Sequence, residues 1–377
     1  MSSGAGPPAR IEPATPSRPV ERREPEGPID PEEWDRHLLR HPEATFYHTR
    51  RWAAIVTDAF PQVTDESVWL GSGDQRAALP MQRWTRLGSV LTTRHSSFPF
   101  VYGGPVPRRL AATGDLLPEA VRRLRAGGAA FVLVASPFGA AADIDADAHP
   151  SDAHPSDAHP STVVDASLRG ARIERTPEIT HLLRLPADPT VFWETILTAA
   201  KRNDVRRIGK KGVSVRRGGT EEEIESVYRF YRDSFRRWGG PPGLVYPLAL
   251  YRSLVRRGGD AVRLYLAEHE GRILGGAFVI RWNGHVHYHA GYFDHEARAL
   301  RPNVLIQETV IREAIEDRFV DYDFLPSGGN AGVEAFKEGF GGVRTPLERY
   351  EFRPPLHRLV ERLRRRGRPA AEPGAGG

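Results

Sequence analysis

The stretch VRLYLAEHEGRILGGAFVIRWNGHVHYHAGYFD, residues 262–294, holds three apolar runs separated by the turns EHEGR and WNGH. Short turns that contain glycine favour β-hairpins, so the runs 262–271, 272–284 and 285–294 are predicted to be neighbouring antiparallel strands. The stretch therefore predicts a three-stranded antiparallel meander, around which the rest of the second half of the chain can be placed.

Helices and strands surround this meander on both sides. Helical spacing of apolar residues with acidic first turns predicts helices, and runs rich in β-branched and aromatic residues predict strands. In chain order we predict a strand at 179–186, an amphipathic helix at 189–212, helices at 221–239 and 248–259, the meander, a helix at 303–319, and strands at 320–328 and 347–354.

The first half of the chain repeats this order of elements. We predict helices at 28–42 and 45–60, strands at 67–73, 76–85 and 89–106, a helix at 113–128, and a buried strand at 129–138. Each half is therefore expected to be a mixed α/β unit of the α+β type, with a mostly antiparallel sheet flanked by helices.

Composition limits the classes of protein that this chain can be. It has 377 residues, 40% hydrophobic and 27% charged, which is typical of a globular protein. It has no cysteine, which excludes disulfides, thiolate zinc sites and a cysteine nucleophile and suits a cytoplasmic location. Residues 1–28 are rich in Pro, Gly and charge and are predicted to be a disordered leader, and no run reaches the roughly 20 apolar residues that span a bilayer.

Positive charge is concentrated in two segments. Residues 201–217 carry eight Lys and Arg against one Asp, and residues 357–368 carry six Arg against one Glu. Such clusters attract phosphate, nucleic acid or anionic lipid heads, although a solvated helix face is the simpler alternative. The candidate phosphate-binding or tRNA-binding residues are Lys201, Arg202, Arg206, Arg207, Lys210 and Lys211. The basic tail, 356–377, is a candidate for peripheral contact with a membrane.

The segment ADAHPSDAHPSDAHPS, residues 146–161, contains three copies of a five-residue unit. His149, His154 and His159 invite a metal-binding interpretation. However, His-Pro steps favour extended backbone, and the repeat offers no apolar face to bury. We therefore predict a flexible loop that can be removed with little effect on stability or activity.

Several stretches resemble the Fem family of GNAT acyltransferases. They are SSFPFVYGGPV (96–106), AAKRNDVRRIGKKG (199–212), FYRDSFRRWGGPP (230–242), and the segment that runs from YHAGYFDHEARALRPNVLIQETVIREA (288–314) to YDFLPSGGNAGVEAFKEGFGG (322–342). Their order and spacing carry the resemblance. It implies two tandem GNAT-like domains, at 29–178 and 179–355, and an enzyme that transfers an aminoacyl group from aminoacyl-tRNA to an amine.

The resemblance also implies where the donor binds. In EAFKEGFGG (334–342) the Phe-Lys pair of the family corresponds to Phe336 and Lys337, and Lys337 is expected to stabilise the negative charge that develops on the ester carbonyl. Phe340 and Phe336 are expected to exclude water, and the glycines to let backbone approach the substrate. The alternative is a C-terminal hairpin whose lysine only caps a carbonyl. Tyr292 and Trp238, in two of the resembling stretches, are further candidates for substrate binding.

The turn ARALRPN, residues 297–303, bears on the identity of the donor. Enzymes that use acyl-CoA cradle pyrophosphate with a glycine-rich turn at the start of the following helix, and this turn has no glycine. That argues against an ordinary acetyl-CoA enzyme, although an acyl-CoA donor stays an alternative. Arg298 and Arg301 are candidates to meet phosphate or carboxylate, and Asn303 lies at the helix start.

Acyl transfer to an amine also needs a group that takes a proton. The candidates are Asp323, Glu308 and the series His285, His287 and His289, whose alternate spacing places them on one face of a strand. We rank a metal site on these histidines low and expect no bound cofactor. The acceptor is left open among a peptidoglycan precursor, a polysaccharide amine and a small natural product. A non-catalytic protein that binds RNA or a membrane surface on a GNAT scaffold is the alternative of another class.

Overall fold

The computed structural model describes residues 29–86, 91–98, 101–111, 114–138, 173–239, 245–355 and 357–358. The longer helices are α1 (Pro31–Leu38), α2 (Arg50–Ala59), α3 (Leu117–Leu124), α4 (Ala199–Lys210), α5 (Glu221–Arg237), α6 (Leu248–Gly258), α7 (Pro302–Glu316) and α8 (Ala331–Glu338). The first-half strands are β1 (Val63–Asp65), β2 (Val68–Ser72), β3 (Gln75–Leu79), β4 (Gln82–Arg86), β5 (Leu91–His95), β6 (Arg109–Leu110), β7 (Gly114–Asp115) and β8 (Ala130–Val134). Those of the second half are β9 (Glu174–Arg184), β10 (Ser214–Gly218), β11 (Val262–His269), β12 (Arg272–Trp282), β13 (His285–Phe293), β14 (Asp321–Asp323) and β15 (Val343–Phe352).

Eleven of the strands form one continuous sheet. Its order is β1-β4-β5-β8-β15-β9-β14-β13-β12-β11-β10, and β2-β3 and β6-β7 form separate two-stranded ribbons. Most neighbours are antiparallel, so the expected mixed α/β architecture with a mostly antiparallel sheet is confirmed. The leader 1–28, the repeat 146–161 and nearly all of the basic tail lie outside the described residues.

Two pairs of parallel strands mark equivalent places in the two halves. In the first half β5 pairs with β8, and in the second half β13 pairs with β14. Each pair is joined through a connection that contains a helix, α3 in the first half and α7 in the second, as parallel strands require. The β13–β14 pairing joins only 285–287 to 321–323, so the two strands part beyond His287 and Asp323.

The two halves are joined at the centre of the sheet by β15, which lies between β8 and β9. The last strand of the chain, β15, pairs with β8 of the first half through Arg349–Phe352, while β9 lies between β15 and β14. β9 begins at Glu174, ahead of the predicted domain boundary at 178/179. The central strands therefore connect the two predicted domains through backbone hydrogen bonds.

The predicted meander is confirmed, together with its turns. Glu270 and Gly271 at one turn, and Asn283 and Gly284 at the other, all have positive φ angles between 50° and 82°. Positive φ at both central residues is the geometry of the two-residue hairpin turn that matches strand twist. The positions that glycine and asparagine occupy are thus those that the turns require.

The predicted helix 189–212 is wrong in its continuity. The structure has a short helical segment at Pro189–Val191 with a π turn at Phe192–Ile196, and α4 starts only at Ala199. Leu197 is extended at the break and fully buried. The Arg202 guanidinium donates to the carbonyls of Trp193, Glu194 and Leu197, so the interruption is held by hydrogen bonds that the helical pattern does not reveal.

Three predicted strands also differ from the structure. The run 76–85 is two strands, β3 and β4, because Pro80 interrupts the ladder. Among its described residues, the run 89–106 forms a strand only at Leu91–His95. The run 320–328 forms a strand only at Asp321–Asp323, and Leu325 then turns the chain with a φ of 58°.

Side chains that alternate along the meander bury two separate cores. Leu264, Leu266, Phe278 and Ile280 pack with residues of α2, α5 and α6 from both halves of the chain. Tyr265, Ala267, Ala277 and Val279 face the other way and pack with residues of α7. Across the described ranges, no helix has the length and apolar character that a membrane crossing requires.

Candidate active site

Lys337 lies on the last turn of α8, just beyond the carboxyl end of β14. Asn330 starts this helix, since its side-chain Oδ1 accepts hydrogen bonds from the amides of Gly332 and Val333 at 3.0 and 3.1 Å. Lys337 is 6% exposed, and its ammonium donates to the carbonyl of Leu325. The segment is therefore a helix and not the hairpin of the alternative, although Lys337 does meet a carbonyl, as that alternative expected.

The surroundings of Lys337 favour loss of its proton. Burial lowers the pKa of Lys337 to about 8, while the negative charges of Asp323 and Glu334 act in the opposite direction. His181, whose side chain is buried beside it, lies 3.7 Å from the carboxylate of Glu338. A buried ammonium with a single carbonyl partner retains donors for another acceptor, as an oxyanion site requires.

The pKa of Lys337 predicts a limit on activity at high pH. If the ammonium form is required, log kcat/KM stays level up to about pH 8 and then falls as the proton is lost. An ordinary exposed lysine would hold the rate to above pH 10. Initial rates between pH 6 and 10, corrected for spontaneous donor hydrolysis, measure this limit. A rate that stays level to pH 10 contradicts the requirement for a protonated Lys337.

Asp323 is fully buried at the end of β14 and accepts several hydrogen bonds. Its Oδ1 accepts from the hydroxyl of Thr180 on β9 at 2.6 Å and from the amide of Leu325 at 2.9 Å. Its Oδ2 lies 3.2 Å from Nδ1 of His287 on β13. Leu325 therefore links the two predicted catalytic residues, because its amide meets Asp323 and its carbonyl meets Lys337.

The two predicted aromatic residues lie beside a second lysine. The rings of Phe336 and Phe340 have centroids 5.2 Å apart, and the Lys201 ammonium lies 4.2 Å from the Phe336 centroid. Burial lowers the pKa of Lys201, and the charge of Asp204 opposes this. Both rings pack in the core that the meander forms with α7, so they shield this end of α8 from water.

The glycines of the Phe-Lys segment make close contacts with residues that precede α4. Gly341 has a φ of 88°, and a Cβ there would clash with the side chain of Ile196. The carbonyl of Gly339 accepts hydrogen bonds from the amide and hydroxyl of Thr198, which precedes α4. These glycines thus allow α8 to dock against the start of α4.

The basic residues of α4 divide into two groups. Arg202 is bonded to backbone carbonyls, Arg207 pairs with Asp204 at 2.7 Å, and Arg206 lies 5.5 Å from the Trp193 ring centroid. Lys210 and Lys211 are exposed at the end of the helix. The structure thus gives Arg202 a role in the fold, while Arg206, Arg207, Lys210 and Lys211 are exposed at the surface.

The turn before α7 is held by side chains of the protein itself. Arg301 has a φ of 44° and forms an ion pair with Asp204 of α4. Arg298 is exposed and donates to the His295 carbonyl at 3.3 Å. Asn303, in the first turn of α7, has a buried Oδ1 with no hydrogen-bond partner among the described residues. Arg301, one of the two predicted anion-binding arginines, is thus already paired with the carboxylate of Asp204.

Two other predicted substrate-binding residues lie apart from α8. Tyr292 belongs to a tyrosine cluster, with its hydroxyl 3.3 Å from that of Tyr251 and its ring centroid 4.8 Å from that of Tyr231. Trp238 is 68% exposed at the end of α5. Within the described residues neither side chain makes a hydrogen bond or ring contact with α8, so the structure does not bring them to Lys337.

A surface cleft of about 370 Å³ lies between the β11–β12 hairpin and the turn that precedes α7. It is lined by His269, Glu270, Arg272, Leu274, Glu296, Ala297 and Leu300. Arg272 forms ion pairs with Asp294 and Glu296. Carboxylates thus balance the cation in this cleft, which does not favour a phosphate group.

The candidate proton acceptors have different environments. His287 meets Asp323, whereas His285 contacts the Pro42 carbonyl at 2.6 Å and stacks on Phe138. His289 lies at an irregularity in the β12–β13 pairing, and its Nδ1 is 3.1 Å from the Tyr47 hydroxyl.

Glu308 belongs to α7, and its contacts differ from those of these histidines. Burial raises the pKa of Glu308, and Arg312 lies 3.4 Å from its carboxylate. Within the described ranges, no group of three or more His, Asp or Glu side chains is arranged to hold a metal ion.

Sequence patterns did not identify three residues of this site. Thr180 bonds to Asp323, and the rings of Tyr47 and Tyr102 lie 5.2 and 5.9 Å from that of His287. The sequence signal for these residues was a polar or hydroxyl-bearing side chain inside an otherwise apolar run. Such a pattern is common and does not specify which residue the side chain contacts. Tyr47 and Tyr102 come from the first half, so the site lies where the two halves meet.

Comparisons with known proteins agree with this geometry. Residues 199–338 match the acetyltransferase (GNAT) domain family. FemX is 14% identical, with a TM-score of 0.63 over 88% of this chain and 98% of that chain. A conserved protein of unknown function from Bacteroides thetaiotaomicron is 12% identical, with a TM-score of 0.51 over 86% and 97% of the two chains. L-PGS from Bacillus licheniformis is also 12% identical, with a TM-score of 0.50 over 92% and 99%.

No curated protein sequence matches the chain. The identities to the solved structures are low, so those likenesses establish the fold, while the family match covers α4 to α8 and includes Asp323 and Lys337. The chain therefore has a Fem-like fold, and its residues 199–338 match the acetyltransferase (GNAT) domain family.

Proposed function

We propose that this protein transfers an aminoacyl group from aminoacyl-tRNA to an amine acceptor and so forms an amide bond. The single observation that carries the proposal is Lys337, a buried ammonium at the point where β13 and β14 part. A fixed cation in a water-poor site stabilises the negative charge that develops on a carbonyl oxygen during acyl transfer. Phe336 and Phe340, with their rings in contact, keep water from the same end of α8.

The choice of aminoacyl-tRNA rests on the turn before α7 and on the surface of α4. The turn has no glycine, and Arg301 within it is engaged by Asp204, so the backbone cradle typical of pyrophosphate binding is lacking in this described segment. Lys210 and Lys211 offer exposed positive charge for a polyanionic donor. The likeness of fold to FemX supports the same choice.

An acyl-CoA donor is the second candidate. The observation that favours it is the match of residues 199–338 to the acetyltransferase (GNAT) domain family. The amides in the first turn of α7 form a positive helix end that can meet phosphate. The role proposed for Lys337 is the same with either donor, because both present an acyl carbonyl.

The acceptor is proposed as an amine of a peptidoglycan precursor, a polysaccharide or a small natural product. All three present a primary amine that becomes an amide nitrogen.

Binding of a tRNA donor is expected to depend steeply on salt. The variant Lys210→Gln/Lys211→Gln removes two exposed charges, so the slope of log K against log salt should become shallower by about 1.5. The matched control is Arg122→Gln/Arg123→Gln on α3, whose exposed arginines pair with Glu119. Fluorescence titration of labelled tRNA between about 50 and 200 mM salt measures this slope.

The control variant should keep the wild-type slope. Donor affinity that is independent of salt in the wild-type protein would count against tRNA and favour a small donor. If the salt slope changed equally in the Lys210→Gln/Lys211→Gln variant and in the control, tRNA would contact the protein elsewhere than at the end of α4.

A further inference from the structure

His287 and Asp323 face each other at the last paired position of two parallel strands. They are register partners in the β13–β14 pairing, immediately before the strands part. Both side chains are fully buried, and their nearest polar atoms are Nδ1 and Oδ2, 3.2 Å apart. The pair therefore lies buried at the last position where β13 and β14 are paired.

The hydrogen bonds of Asp323 determine which nitrogen of His287 carries the proton. Oδ1 is occupied by two donors, the Thr180 hydroxyl and the Leu325 amide. The ammonium of Lys337 also interacts with this carboxylate. A carboxylate oxygen accepts hydrogen bonds, so Oδ2 accepts from Nδ1 of His287, and Nε2 carries the lone pair.

The Nε2 atom of His287 is buried and lacks a hydrogen-bond partner among the described residues. Its imidazole is flanked by Tyr47, Tyr102 and Phe138 of the first half, with ring centroids 5.2, 5.9 and 5.9 Å away. A buried acceptor without a donor is costly, and such an atom calls for an explanation. A ligand N–H group that occupies the position would supply the missing donor.

We propose that Nε2 of His287 takes the proton from the attacking acceptor amine and that Asp323 is its positioning residue. As the amine nitrogen bonds to the acyl carbon, one N–H proton moves to Nε2 and Lys337 stabilises the carbonyl oxygen. As the bond from the acyl carbon to the leaving oxygen or sulfur breaks, Nε2–H returns the proton to the leaving atom. The imidazole ends neutral, as it began. This inference rests on the proposed acyl transfer and holds for either donor.

The charges around His287 are consistent with a neutral imidazole at working pH. Burial lowers the pKa of His287, and the neighbouring charge of His285 lowers it further, while Asp323 and Asp321 oppose the shift. His48 and His289 lie close as well, and burial lowers the pKa of each to about 4, so both are neutral. A base must be unprotonated to act, and this environment keeps it so.

The variant His287→Asn tests the proton transfer. The asparagine amide lies near the former Nδ1 position and can still donate to Asp323, so the fold is expected to hold while Nε2 is lost. We expect kcat to fall by roughly 100-fold or more, the effect of removing a general base. The control is His269→Asn, a partly exposed histidine at the end of β11 and outside the proposed catalytic groups, which should keep kcat within a few-fold.

Nitrogen-15 NMR of the His287 imidazole tests the dyad apart from turnover. We expect an unprotonated Nε2 in the wild-type protein at neutral pH. In Asp323→Asn the amide can donate to Nδ1, so Nε2 should become the protonated nitrogen and kcat should fall with it. A protonated Nε2 in the wild-type protein overturns the inference, whatever the activity.

The kinetic outcomes separate this inference from the proposed function. Wild-type transfer that continues at full rate in His287→Asn overturns the dyad and leaves the acyltransferase proposal standing. If the wild-type protein transfers from neither aminoacyl-tRNA nor acyl-CoA, the proposed function fails and the inference fails with it. Loss of transfer in His287→Asn with normal thermal stability and normal donor binding supports the proton transfer.

Discussion

Replacing Lys337 by methionine is expected to lower kcat by roughly 100-fold or more, the scale of losing one group that stabilises an oxyanion. Methionine keeps an unbranched side chain of similar length in the buried position and removes only the charge. The free energy of unfolding should change little, because the hydrogen bond to the Leu325 carbonyl and the cost of burying an ammonium are lost together.

The matched control is Lys210→Met, which removes an exposed ammonium at the end of α4. Its kcat is expected to equal that of the wild-type protein at saturating donor. Single-turnover rates measure the chemical step, and differential scanning calorimetry checks the fold of each variant. Turnover that is unchanged in Lys337→Met with both donor classes would contradict the catalytic role.

Expression of residues 179–355 alone is expected to give no stable folded protein. This fragment keeps β15 but removes β8, its partner along Arg349–Phe352, and also the start of β9. It also exposes apolar residues such as Phe278 and Tyr251, which pack against Trp52 of α2 in a core shared by both halves. An unpaired strand edge next to an uncovered core favours aggregation.

The matched control is the same protein cut within residues 146–161 and left as two associated chains. The cut keeps both halves, so circular dichroism, sedimentation and activity should match those of the intact protein. A fragment 179–355 that is monomeric, melts cooperatively and transfers acyl groups would show that the second predicted domain is independent.

Local sequence patterns predicted the elements that are stabilised by contacts between residues close in the sequence. The helix at 221–239 has a Thr220 cap whose hydroxyl meets the Glu223 amide and whose own amide meets the Glu223 carboxylate. The Asn283–Gly284 turn and its counterpart at Glu270–Gly271 have the backbone geometry that the sequence indicated. In each case residues within four positions of one another supply the stabilising contacts.

Features that depend on distant contacts were not predictable in this way. The break at Leu197 is held by Arg202 and by the hydrogen bonds of Thr198 to Gly339, which is far away in the sequence. The position of β15 between β8 and β9 depends on pairing between the halves, and nothing in the alternation of these strands specifies their partners. Helical or strand periodicity shows which face is apolar but not what covers it.

The candidate site was predicted only in part for the same reason. Lys337 and Asp323 were both predicted as catalytic residues, and the structure links both to Leu325. Their connection through Thr180 and His287 depends on three strands that are distant in the sequence. Trp238 lies exposed at the end of α5. A tryptophan at a helix end does not indicate, from the sequence, which residues or ligand it would contact.

The most direct test of the account is to offer the purified protein two donor pools with one amine acceptor and to measure amide product. The first pool is tRNA charged with isotopically labelled amino acids, and the second is a set of acyl-CoAs. We predict labelled amide product from the tRNA pool, lost in Lys337→Met and retained in Lys210→Met. Product from acyl-CoA alone would contradict the proposed donor. Absence of amide product from both pools, with a folded protein and a range of acceptors, would contradict the proposal of acyl transfer itself.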